Sequence, residues 1–154
     1  MKFKIFFVFI FLIILSCKSI EHIKTETEII NDLKFYLNNK VPEEAILNDE
    51  NNYLLKPIFY KNFKYIIYFI LENEIIKTAG IKYIFDDYDL LIIEQNKFEK
   101  IFNDLTENSE PDIDRMLNED NLTIKWEYQN NKYWISLPEI NYDTLEYSFF
   151  IEIE

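Results

Sequence analysis

Ile124, Trp126 and Tyr128 alternate with Lys125 and Glu127; Gln129-Asn130-Asn131 then intervenes, and Tyr133, Ile135 and Leu137 resume the alternation. A period of two sends successive side chains to opposite faces of a strand, and a three-residue polar break is short enough to reverse the chain. This stretch therefore reads as an antiparallel hairpin. Farther on, Tyr147, Phe149, Ile151 and Ile153 alternate with Ser148, Phe150, Glu152 and Glu154, which adds a final strand. Any fold for this chain has to place at least three strands in one antiparallel sheet.

Two segments read as helices. Thr25-Glu26-Thr27-Glu28 has the spacing of a capping box, and Ile29, Leu33, Tyr36 and Leu37 follow at i, i+4, i+7 and i+8, predicting a helix over 26–38. Phe98, Ile101, Phe102 and Leu105 predict another over 97–106, with Asn96 as cap and Glu99 three residues later. Between them, Pro42 opens a short turn over Glu43 to Leu47, and Asn48 to Asn52 is a polar loop. Pro57 interrupts any helix through Tyr53–Tyr60. The run Phe63–Leu71 is dense in β-branched and aromatic residues; with Glu72-Asn73-Glu74 turning it back onto Ile75–Phe85, it predicts a hairpin, with a bulge at Gly80. A helix over 60–72 is the competing reading of the same apolar run. Asp86 to Asp89 reads as a turn, Leu90 to Ile93 as a short buried strand, and Ser109 to Asn121 as an acidic loop with one helical turn around Ile113–Leu117. The expected class is α+β: an antiparallel β-sheet with two helices packed on one face.

The N-terminus is of another kind. Lys2 and Lys4 flank Phe3, an apolar run extends from Ile5 to Leu15, and Ser16 and Cys17 close it. Eleven apolar residues in a helix rise about 16 Å, roughly half of a hydrocarbon core, so the run reads as a signal sequence rather than a span. Ile14-Leu15-Ser16-Cys17 resembles the lipobox of bacterial lipoproteins, although Ile14 and Leu15 depart from its commonest residues. The resemblance covers residues 1–17 only. It implies a diacylglyceryl group on the Cys17 thiol, cleavage just before that residue, acylation of the new amine, and a folded part held at the cell membrane or outer membrane, outside the cytoplasm. Two or three acyl chains make a durable anchor where one holds only marginally. Cys17 is also the only cysteine, so no intramolecular disulfide forms. The expected organisation is a leader at 1–16, a lipidated tether at 17–24 and a single domain at 25–154.

Charge narrows the partners. Removing residues 1–16 takes away two lysines and no acids, leaving 14 Lys and Arg against 28 Asp and Glu, a formal charge of −14. Such a domain is repelled by nucleic acid and favours a basic envelope protein. Its aromatic content, with 11 Tyr in the whole chain, is far above that of disordered segments.

The residue types exclude much chemistry. The one histidine, His22, lies in the tether, which leaves no His for a Ser-His-Asp or Cys-His centre or for a His/Cys zinc site in the domain. Gly80 is the only glycine, so glycine-rich phosphate loops are absent, and Arg115 is the only arginine. Carboxylate chemistry stays open, because glycosidases need only two acids at a set separation; two acids facing each other across a deep pocket would favour it. Asp86 to Asp89 and Glu107 to Asp120 offer oxygen ligands for Ca²⁺ without EF-hand spacing. Trp126 and Trp134, with Tyr128 and Tyr133, form either a stacking platform or core, and the hairpin register sets the two tryptophans on opposite faces. No catalytic, cofactor-binding or metal residue is singled out, and the one assigned site is lipid attachment at Cys17. The expected function is a lipid-anchored, non-catalytic binding or interaction module. One specific form is an immunity-type inhibitor of a toxin; the rival class is a carboxylate-dependent hydrolase or a calcium-binding protein.

Overall fold

A computed structural model describes residues 24–60, 62–115 and 122–154. The chain runs β1 (Ile46–Asp49), β2 (Asn52–Leu54), β3 (Ile58–Phe59), β4 (Phe63–Glu72), β5 (Ile75–Phe85), β6 (Asp112–Arg115), β7 (Leu122–Tyr128), β8 (Asn131–Ser136), β9 (Glu139–Asn141) and β10 (Glu146–Ile153). Helix α1 (Glu26–Tyr36) precedes β1, and helix α2 (Tyr88–Leu105) lies between β5 and β6. All ten strands belong to one antiparallel sheet in the order β1-β2-β4-β5-β10-β8-β7-β6, with β3 also on β4 and β9 also on β10. Among the described residues no helix is long and apolar enough to cross a membrane.

Two prolines shape the sheet. Pro57 separates β2 from β3, which pair with successive parts of β4. Pro138 separates β8 from β9 in the same way along β10. Proline cannot donate to the ladder, so each long neighbour is covered by two short strands with a break between them.

The helices share one face of the sheet, as the class requires. Thr25 Oγ1 accepts from Glu28 N at 3.3 Å and the Glu28 carboxylate accepts from Thr25 N at 2.7 Å, so the capping box forms as read. Helix α1 stops at Tyr36, slightly short of the expected 38, because Asn38 adopts a positive φ and the exit is pinned to β5 by Asn38 N to Ile76 O and Ile76 N to Asn39 O, both 2.9 Å. Beneath the helices, Tyr65, Tyr83 and Phe149 align across β4, β5 and β10, with ring centroids 5.7 and 5.2 Å apart. Phe98 of α2 packs over this row, 5.5 Å from Tyr83, while Phe102 meets Trp126 edge-on at 5.7 Å.

Several local expectations change. The helix alternative over 60–72 is overturned: β4 and β5 form the long hairpin, turned by Asn73 and Glu74, both at positive φ. The bulge lies between Ile70 and Leu71, not at Gly80. Residues 43–52, expected as a short turn and a polar loop, instead contribute β1 and the start of β2. The strand expected at Leu90–Ile93 lies in the first two turns of α2, because Asp87 accepts from Asp89 N at 2.8 Å and Leu90 N at 3.2 Å and starts the helix nine residues early. Asn96, expected as a cap, is inside that helix. Strand β6 replaces the helical turn expected around Ile113–Leu117, and residues 116–121 of that acidic loop lie outside the described residues.

The opposite face carries a row of its own. Tyr68, Gly80, Glu152, Trp134 and Lys125 are successive partners across β4, β5, β10, β8 and β7. Tyr68 crosses directly over Gly80 and donates its hydroxyl to Glu152 Oε1 at 2.6 Å, two strands away. A Cβ on Gly80 would stand 2.2 Å from Tyr68 Cζ. The single glycine therefore serves a close approach, and its φ is not positive.

Candidate functional site

The candidate site lies between the start of α1, the middle of α2 and the end of the sheet where Tyr83 projects. Glu26 occupies the first position of α1, set there by the Thr25 cap. Glu94 and Lys97 lie three apart on α2 and so share one side of the helix. Lys97 Nζ is 2.8 Å from Glu94 Oε2 and 2.9 Å from Glu26 Oε1, joining the helices through one ammonium. The carboxylates are largely covered, with side-chain exposures of 22 % for Glu26 and 18 % for Glu94, while Lys97 at 50 % closes them from the solvent side.

Inside this cluster is a cavity of about 150 Å³, walled on the apolar side by Ile29, Phe63 and Tyr65. Tyr83 also lines it; the residue is 1 % exposed, and its hydroxyl has no hydrogen-bond partner among the described residues. Leaving a buried hydroxyl unpaired costs about 1–3 kcal/mol. Burial, with the nearby Glu94 charge adding to it, pushes the Tyr83 phenol well above its ordinary range. Burial and a hydrogen bond with Tyr60 do the same to Tyr65.

The two carboxyl groups differ. Burial pushes Glu94 up, and Lys97 only partly offsets it. Burial pushes Glu26 the same way, but hydrogen bonds from Lys97 and from its own backbone outweigh it and leave Glu26 below its ordinary value. Lys97 is held charged by both acids.

A second concavity, an open groove of about 620 Å³, lies on the opposite face between the sheet and the β9–β10 turn. Three of its four charged residues are paired: Lys82 with Glu139 at 3.3 Å, and Glu146 with Lys64, just outside the groove, at 2.7 Å.

The residues singled out from sequence fall elsewhere. Cys17 and His22 lie outside the described residues. Trp126 is fully buried and donates Nε1–H to Asn103 Oδ1 at 2.7 Å, while Trp134 sits on the opposite face beside Lys132, as the register required. Tyr133 is core, so the four aromatics form no common platform. Asp87 serves as the α2 cap, and among the described residues no three His, Cys, Asp or Glu side chains gather to hold a metal. Sequence reasoning missed Glu26, Tyr83, Glu94 and Lys97. The available signal was the i, i+3 spacing of Glu94 and Lys97, which the strand reading of Leu90–Ile93 concealed.

No family model matches the chain, and no curated protein or solved structure matches it significantly.

Proposed function

We propose that this chain is a lipid-anchored cell-envelope lipoprotein whose folded part is a non-catalytic binding module. The observation that carries this reading is the lipobox-like Ile14-Leu15-Ser16-Cys17, which ends in the chain's only cysteine. Six residues then separate Cys17 from Lys24, where the described fold begins, and the seven steps between them span at most about 25 Å. The domain is thereby kept within one molecular diameter of the bilayer that holds the acyl chains.

The helix-face cavity favours binding over hydrolysis. It does hold two facing acids, which motivates the carboxylate-hydrolase alternative. Glycosidase carboxyls stand about 5–9 Å apart, with the scissile bond and a water between them. Glu26 and Glu94 instead share a single ammonium, over a space of about 150 Å³. The formal charge of −14 after cleavage suits a basic partner, and an immunity-type inhibitor of a toxin is one form of such a module.

Intact mass of the protein from its host's membranes, beside a Cys17→Ala variant, tests the anchor. The expected chain starts at Cys17 and carries acyl mass that the variant lacks. A full-length, unmodified chain in the membranes would refute the reading.

A further inference from the structure

Three features of the helix-face cavity point to one kind of ligand. Glu26 and Glu94 already hold an ammonium group, that of Lys97, at 2.9 and 2.8 Å. Tyr83 lines the same cavity, and its buried hydroxyl lacks a partner among the described residues, so an acceptor oxygen is left over beside the site once Lys97 is seated. The remaining wall, Ile29, Phe63 and Tyr65, is apolar or aromatic and suits a hydrocarbon stem. About 150 Å³ is the size that takes a ligand of roughly six non-hydrogen atoms.

We propose that this cavity binds a primary alkylammonium group, which takes the place of Lys97 on Glu26 and Glu94 and donates an N–H to the Tyr83 hydroxyl. The inference deepens the binding-module reading and does not depend on the anchor. Lys97 is the resident occupant: its side chain is half exposed, so it can rotate into water and leave the carboxylates to an incoming cation. An anionic ligand is refused by the same two acids. Lys24, the other cation at the cavity, is engaged by Asp32. The ammonium has two possible sources, a free small amine or a lysine side chain of a basic partner, and both present the same head and stem.

The test uses the full chain in dodecyl maltoside at neutral pH, with n-butylammonium and Nα-acetyl-lysine amide as probes and tetramethylammonium as the ionic-strength control, read by titration calorimetry. Lys97→Met removes the tethered competitor, so both probes are expected to bind the variant about tenfold more tightly than the wild type. Adding Tyr83→Phe to Lys97→Met is expected to weaken binding roughly fivefold, the value of one hydrogen bond. Tighter binding of the lysine amide assigns the site to a partner's lysine; tighter binding of n-butylammonium assigns it to a free amine. If Lys97→Met binds no better than wild type, if Tyr83→Phe changes nothing, or if tetramethylammonium binds equally well, the proposal is overturned. A chain acylated at Cys17 that ignores both probes would leave the anchored reading intact and remove this one.

Discussion

Gly80→Ala tests the row on the open face directly. The new Cβ would lie 2.2 Å from Tyr68 Cζ and 2.6 Å from its hydroxyl oxygen, so the ring must leave its place over β5. The hydrogen bond to Glu152, made at 2.6 Å to a residue only 4 % exposed, goes with it. Hydrogen bonds to charged groups contribute about 1.5–3 kcal/mol. Replacing glycine within a strand returns roughly 0.5–1 kcal/mol of backbone entropy. The expected net loss is about 1–2 kcal/mol, near 5 °C in melting temperature for a domain of this size. Urea unfolding of wild type, Gly80→Ala, Tyr68→Ala and the double variant measures it. Once Tyr68 is cut back to alanine the clash is gone, so Gly80→Ala should then be neutral or stabilising. Equal destabilisation in both backgrounds would refute the account of this glycine.

The other predictions concern the helices, the core and pH. Asp87→Ala removes the acceptor for Asp89 N and Leu90 N and should cost about 1 kcal/mol in urea unfolding, with Asp87→Ser largely neutral. Trp126→Phe leaves Asn103 Oδ1 without its indole donor and a gap beside Phe102; a loss of roughly 2–3 kcal/mol is expected in the same assay. Glu94 has a folded pKa raised by burial above its ordinary value of 4.5, so its contribution to stability is present below 4.5 and is lost as pH rises through the folded value. Wild type should therefore lose stability relative to Glu94→Gln as pH is raised from about 4 to 8. Glu154 is the opposite case. Burial pushes it up, but hydrogen bonds from Lys77 and Lys132 win and hold it below 4.5, so Glu154→Gln should flatten the stability lost as pH falls below that value.

The class was legible because the strongest local patterns agree with the tertiary structure. The 124–137 hairpin alternates cleanly, and its turn residues Gln129 and Asn130 take the positive φ that such a turn needs. Thr25 and Glu28 announced α1 for the same reason: a cap is a contact between near neighbours. What failed depends on longer context. Leu90 to Ile93 is an unbroken apolar run, and only the stripe Leu91, Gln95, Phe98 and Phe102 reveals it as helix. Strands β1, β2, β3 and β9 run only two to four residues, with little internal patterning, and exist because longer neighbours offer them ladder partners. The cavity was hidden for a related reason. Glu26 and Glu94 are 68 positions apart, and one charged residue among 28 acids has no local mark to say that a buried tyrosine faces it.

The order of the strands has a consequence for timing. Strand β10 is the last of the ten in chain order, yet it stands at the middle of the sheet, between β5 on one side and β8 and β9 on the other. A chain that emerges N-terminus first can zip β4 to β5 and β7 to β8 early, since those are local hairpins. The two half-sheets then wait, each with an open inner edge, until residues 146–153 arrive to join them. Joining the two halves waits on the eight residues of β10. Until then the sheet is incomplete, and any stop codon upstream of Glu146 leaves two unjoined halves for proteolysis.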